Sequence, residues 1–329
     1  MATVTVNQLL RYPVKSLGGT EVDEVRVDRR GVHADRLWAL RDLDNNITAS
    51  ARRIPALLNC SARYAEEPGP AAGPGNVPAV IITFPDGTER SSGDADIHDR
   101  LSEVAGRAVR LTALLPEANT SLHRLSLKQL QDTYSADIVR EDFGLSAADA
   151  LPDTSVFTPK QVLTLARFAT PPGTFVDLSP VHVLSVNSLS ALSPDGPAYD
   201  VRRFRPNILV EVAGTAEDFP EMAWVGAEVT LGTTTLRIGV PTIRCVVPTR
   251  PQPGLELDRG LGRVLAQRTD RFMGVYADVA KGGVVRVGDI VEVRPARDPG
   301  IVRRTADTAV KGTMRQLQRL LEATVLRGN

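Results

Sequence analysis

AEVTLGTTTLRIGVPTIRCVVPT, residues 227–249, holds two runs of alternating apolar residues separated by a Gly-Thr turn, then a cysteine between two prolines. Leu236, Ile238 and Val240 recur at every second position, which puts them on one face of a strand. Working outward, VHVLSV (181–186), NILVEV (207–212), GVVRVG (283–288) and DIVEV (289–293) repeat the pattern, each about five or six residues long and bounded by Gly, Pro or Asp. Short strands at such regular spacing predict a barrel or sandwich. Asn187-Ser188 and residues 260–267 predict helices between them.

The first third reads the same way. VTVNQLLRY opens it, followed by Val22, Val25 and Val27, then LWAL (37–40), LLNCSARY (57–64) and AVIITF (79–84), all as strands. Phe84-Pro85-Asp86-Gly87-Thr88 predicts a turn, and residues 69–75 (GPAAGPG) a loop. Ile97–Ala105 predicts a helix capped by Asp96 or Asp94. In the looser stretch from about 116 to 178, SLKQLQDTY and SAADAL read as helices. TPKQVLTLARFA is open between strand and helix, with Thr158 as cap and Pro159 at the first position favouring the helix. Beyond Pro295 the chain turns basic, with seven Lys or Arg against three acids from Arg297 onward, and Met314, Leu317, Leu320, Leu321 and Val325 could stripe a helix.

The 329 residues carry 39 Lys plus Arg against 39 Asp plus Glu, so a nucleic-acid footprint is excluded. No apolar run is long enough to span a membrane and no signal peptide opens the chain, so a cytoplasmic protein with reduced thiols is expected. The composition, 42% hydrophobic, suits two folded domains.

Cys245 follows Arg244 and lies between Pro241 and Pro248, which should take it out of a regular ladder. A loop thiol beside a guanidinium should have a lowered pKa, fit for a nucleophile or soft-metal ligand; the alternative is a small buried hydrophobe. Cys60 fits only the second reading. Four patterns could hold a phosphate. Tyr12-Pro13-Val14-Lys15-Ser16-Leu17-Gly18-Gly19 offers an ammonium, a hydroxyl and backbone N–H groups. Arg36 enters a strand from a turn. Ser185-Val186-Asn187-Ser188 runs a strand into a helix start. Arg202-Arg203-Phe204-Arg205-Pro206-Asn207 supplies guanidiniums. A solvated lysine, an Asp35–Arg36 surface pair and ordinary N-capping are the competing structural readings. The four histidines lack metal spacing, and no Walker loop, GxGxxG or GxSxG occurs.

YPVKSLGG, GVHADRLWAL, LSVNSLSAL, RRFRPNILVE, WVGAEVTLG, PTIRCVVPT and VRVGDIVEV stand here in the order seen in proteins with a MOSC (molybdenum cofactor sulfurase C-terminal) domain. The chain resembles members with an N-terminal MOSC β-barrel domain, among them the mitochondrial amidoxime-reducing component and its bacterial relatives. The likeness runs from about residue 4 to 295. It implies a mainly β fold with some helix (α+β). The expected parts are an N-terminal barrel domain (1–115), a helical connector (116–178), a MOSC β-barrel domain with peripheral helices (179–295) and a basic tail (296–329).

By the same resemblance the cofactor is molybdenum on one molybdopterin, with Cys245 as metal ligand and catalytic centre. Lys15, Ser16, Arg36 and Arg205 match cofactor contacts, and Ser185, Asn187, Ser188, Asn207 and Thr242 lie in matching motifs. The implied activity is an oxidoreductase that reduces small N-hydroxylated compounds. No cysteine follows Cys245 to hold an iron–sulfur cluster, so electrons should come from a separate reductase with a ferredoxin or cytochrome-type protein. The other reading is a cofactor carrier or sulfur-transfer protein with a Cys245 persulfide. A barrel that has lost its cofactor and serves as an interaction module is the third.

Overall fold

A computed structural model describes residues 3–149 and 151–295. The tail expected from 296, with its helical stripe, lies outside the described residues. In chain order the first part contains β1 (Thr3–Arg11), β2 (Thr20–Val22), β3 (Glu24–Asp28), β4 (Gly31–Val32), β5 (Trp38–Asp42), β6 (Ile47–Thr48), β7 (Ser61–Tyr64), β8 (Val80–Thr83), β9 (Glu89–Ser91), α1 (Ile97–Ala105) and β10 (Val109–Ala113). Helices α2 (Leu127–Tyr134), α3 (Ala136–Phe143) and α4 (Pro159–Leu165) follow. The last part has β11 (Val181–Ser185), α5 (Val186–Ala191), β12 (Ile208–Ala213), β13 (Glu228–Leu231), β14 (Thr234–Ile243), α6 (Arg259–Thr269), β15 (Phe272–Lys281), β16 (Gly283–Arg286) and β17 (Val291–Arg294).

The main sheet runs β17-β13-β14-β15-β11-β12-β1-β2, with β11 and β12 parallel through the α5 crossover. It curls until its far members meet: Val6 donates its N–H to Asp289 O (2.9 Å), and Gly288 donates to Val6 O (2.8 Å). Strand β1 therefore belongs to this sheet, paired from Thr3↔Ala213 to Leu9↔Ile208. Leu236, Ile238 and Val240 are all buried, the first two in one core with Val6, Leu9, Val183, Val210 and Val275. A second core lies under the small sheets β10-β5-β6 and β7-β8-β9, built on Leu17, Leu40, Leu57, Ile82, Leu101 and Phe175. The chain is thus mixed α+β, as expected.

Local chemistry corrects several details. Residues 57–59 are not strand: Pro55 starts a 3₁₀ turn over Pro55–Asn59, and the strand begins at Ser61. Helix α1 has the expected bounds, but neither carboxylate caps it; Asp96 pairs with Arg90 and Asp94 accepts from Ser91 N–H. The described part of SAADAL, 146–149, is a turn. There Asp149 accepts the Ser146 N–H and Arg140 draws both carbonyls, so side chains outcompete a helix. TPKQVLTL is helical, with Thr158 and Gln161 forming a capping box. Helix α3 and the central strand β15 had no counterpart in the sequence reading.

His123, 1% exposed, meets Thr170 Oγ1 at 2.7 Å through Nδ1 and lies beside Phe175. Burial, helped by Arg41, lowers its pKa from 6.5 to about 4. A histidine that resists protonation in the fold stabilises it fully above the unfolded pKa and loses that contribution as pH falls toward the folded one. Unfolding free energy should therefore drop between pH 6.5 and about 4. His123→Gln should remove about 2–3 kcal/mol of that drop, read by denaturant titration across the range; an unchanged slope would refute the assignment.

Candidate functional site

Two sequence motifs meet backbone to backbone. Trp38 N–H donates to Pro13 O (3.0 Å), Lys15 N–H to Trp38 O (2.8 Å) and Arg36 N–H to Tyr12 O (2.6 Å). Asp35 completes the unit by accepting the Tyr12 N–H at 2.8 Å. Ser16 Oγ accepts from Ala51 N–H at 3.0 Å, which ties in the loop carrying Arg52.

Ser16, Arg36 and Arg205 have φ of 74°, 51° and 56°. Side-chain-bearing residues seldom adopt this left-handed region, and such strain collects at binding sites. Three of the seven described non-glycine residues in it are thus residues expected to hold a cofactor. Both guanidiniums sit on the ring of buried Tyr12, Arg205 Cζ at 4.4 Å and Arg36 Cζ at 4.9 Å from its centroid. Arg36 also pairs with Asp35. Arg205 Nη2 is buried with no hydrogen-bond partner in the protein, and so are the Tyr12 hydroxyl and Thr242 Oγ1. Burial, with Arg36 adding its like charge, holds the Arg205 pKa below its usual value. Donors buried and unmet at this cost fit an anionic, hydrogen-bonding ligand such as a pterin phosphate.

Lys15, 6% exposed, pairs with Asp177. Burial lowers its pKa against the pull of that carboxylate. Lys15 and Cys245 share Arg52 and Asp177 as charged neighbours, which brings the thiol and the cradle into one electrostatic cluster. The sequence reading missed Arg52 and Asp177, along with His182 and Tyr276. Arg52 lies in no motif that the sequence singled out, and Asp177 stood in the loosest stretch of the chain.

Cys245 lies outside the ladder, as expected, but the details differ. The ladder does not break at Pro241, which still pairs with Val275; it ends at Ile243, after register shifts on either side. Nor is the thiol activated by its neighbour. Arg244 turns inward and gives Nε to Met273 O (2.8 Å) and Nη1 to Phe204 O (3.1 Å), with Nη2 2.6 Å from His182 Nε2. Half-buried Cys245 therefore has its pKa raised by burial, with Arg52 opposing and Arg244 contributing less. Gly274, at φ 76°, permits the inward turn: a Cβ there would stand 2.6 Å from His182 Nε2. Cys60 is 0% exposed, with its thiol pushed to about 11 by burial.

The remaining candidates are engaged elsewhere. Ser185 caps α5, and its hydroxyl donates to Glu221 Oε2 at 2.6 Å; Ser188 Oγ donates to both oxygens of that fully buried carboxylate. Asn187 brackets Val212, donating to its O and accepting its N–H, each at 3.1 Å. Asn207 accepts the His182 N–H and donates to Leu10 O, pinning β11 to β1.

Two family descriptions match the chain: the MOSC N-terminal beta barrel domain over residues 3–89 and the MOSC domain over residues 171–292. The protein belongs to the MOSC proteins that carry both, a family associated with molybdenum cofactor binding or sulfur transfer. Curated protein sequences give no match. Among solved structures, the YuaD protein from Bacillus subtilis is 10% identical over 90% of this chain and 100% of its own, with a TM-score of 0.42. YiiM from Geobacillus stearothermophilus is 16% identical over 35% of this chain and 54% of its own, with a TM-score of 0.28. Scores this low carry no weight for the chemistry. No helix among the described residues is long and apolar enough to cross a membrane.

Ser185→Ala and Ser188→Ala should each destabilise the cofactor-free chain by about 1–3 kcal/mol, because a buried carboxylate loses a donor. Urea unfolding measures this directly. Variants of normal stability that fail to take up cofactor would instead assign these hydroxyls to the ligand.

Proposed function

We propose that this protein is a molybdenum-cofactor oxidoreductase that reduces the N–O bond of small N-hydroxylated compounds, drawing electrons from a separate redox protein in the cytoplasm. The observation that carries the reading is the unmet Arg205 Nη2 in a cradle of left-handed Ser16, Arg36 and Arg205, in a charged cluster with Cys245. When bound, the cofactor supplies a sulfur-held metal that exchanges two electrons.

The chain's own residues bind and orient. Arg205 and Arg36 offer planar donor forks to the phosphate, and Tyr12 fixes their planes. Lys15 adds a point charge that Asp177 holds in place. Thr242 Oγ1 has a free donor and acceptor for a pterin edge. Cys245 Sγ, a soft donor, would ligate the metal and must give up its proton to do so. Converting N–OH to N–H consumes two electrons and two protons and releases water, so each turnover needs an external two-electron supply.

Metal analysis of protein made in a cofactor-competent host should find one molybdenum per chain with a releasable pterin. Cys245→Ser should abolish turnover and remove one sulfur neighbour from the metal's X-ray absorption. Arg36→Ala and Arg205→Ala should each weaken cofactor binding roughly ten- to a hundredfold, and Lys15→Ala less. NADH alone should give no hydroxylamine reduction until a flavoprotein reductase with a ferredoxin or cytochrome-type partner is added. Metal-free protein bearing sulfane sulfur on Cys245 would overturn the oxidoreductase reading in favour of sulfur transfer.

A further inference from the structure

Helix α3 buries no apolar side chain; the buried residue in it is Asp142, 4% exposed. Helix α4 buries none, and among the described side chains none from 124 to 174 joins the hydrophobic cores. This part of the connector therefore docks on the body through polar contacts, and these converge on one place. Asp142 Oδ2 accepts from Arg52 Nη1 at 3.2 Å, and its Oδ1 lies 3.5 Å from Arg53 Nε. Arg53 also donates to Thr133 O at the end of α2 (3.3 Å). On the other side, the Asp142 carbonyl accepts the N–H of Val246, the residue after Cys245, at 2.9 Å. Arg271 donates to Phe143 O (3.3 Å), and its own carbonyl takes the Arg244 N–H (2.7 Å). Gly144, ending α3 at φ 61°, comes so close to Val246 that an added Cβ would lie 3.3 Å from its Cγ2.

We infer that α2 and α3 form a releasable cover on the Cys245 loop, and that Asp142 is its latch, a residue that sets the size of molecule able to reach the thiol. The inference rests on Cys245 being the reacting centre. A helix held by packing opens only with the core, whereas one held by a carboxylate between two half-exposed arginines opens when that charge is removed or screened. The body of the protein stays folded in either state, because its cores draw no described side chain from these helices. Asp142 acts through Arg52, Arg53 and Val246, so its role is positioning rather than chemical.

The test uses the full chain made without cofactor, so its outcome does not depend on whether molybdenum binds. Cys245 is alkylated with a small reagent, iodoacetamide, and with a bulky one, pyrene maleimide, while Cys60 reports on the fold. Asp142→Asn should speed bulky labelling of Cys245 by about tenfold or more and small-reagent labelling far less, with Cys60 still unlabelled. About 1 M salt should move the wild type the same way and leave the variant unmoved. Arg53→Gln cuts the latch from the opposite side and should reproduce the size-dependent gain. An unchanged bulky-to-small ratio in both variants, or labelling of Cys60 in step with Cys245, would overturn the cover.

Discussion

The site depends on a buried arginine satisfied without a carboxylate. Arg244 is 6% exposed, and its partners are two carbonyls and a neutral histidine. Burial lowers its pKa to about 10, still charged at neutrality. Those contacts fix three separate pieces of chain: β15 through Met273, the turn before Arg205 through Phe204, and β11 through His182. The cysteine that follows Arg244 inherits that placement. So does Arg205, whose carbonyl also faces His182 Nδ1 at 3.4 Å. Thiol and phosphate cradle are held in register by one side chain that takes no part in either.

Much of the fold was legible because strand alternation and turn chemistry are local. Leu236, Ile238 and Val240 announced a buried face, and Pro85-Asp86-Gly87 announced its turn. Helix α3 was not legible because its eight residues are too few to show a period, and none of its apolar side chains is fully buried. Strand β15 was obscured by Gly274, Asp278 and Lys281, and by the long ladder it shares with β14 that only tertiary pairing reveals. At the site, Lys15, Ser16, Arg36 and Arg205 could be named from motifs. That Ser16, Arg36 and Arg205 would occupy strained backbone, or that the two arginines would share Tyr12 as a platform, could not. The Cys245 pKa failed for a concrete reason: adjacency in sequence to Arg244 says nothing about where a guanidinium points, and here it points into the core.

Serines 185 and 188 carry the complementary lesson. A hydroxyl pair at a helix start reads equally well as an anion site and as a cap, and the deciding partner, Glu221, is far away in sequence. With a buried carboxylate already accepting both hydroxyls, these side chains hold the 3₁₀ turn at Pro220–Trp224 against β11. The cationic cradle differs in that Arg205 Nη2, the Tyr12 hydroxyl and Thr242 Oγ1 are left over after the internal contacts have been made.

Strand β1 has a consequence for how the molecule is made. Thr3 pairs with Ala213, so on a ribosome adding roughly 5–20 residues per second the first strand emerges some 10–40 s before β12, its neighbour on one side, exists. Strand β2 can pair with the end of β1 at once, through Leu9↔Val22, but through that interval Val6 and the edge that β12 will cover stay open. The amino-terminal small sheets can close over their own core at once, while the strand ahead of them waits. Biogenesis of this chain thus includes the task of keeping one nascent edge out of wrong partnerships until the distant strand arrives.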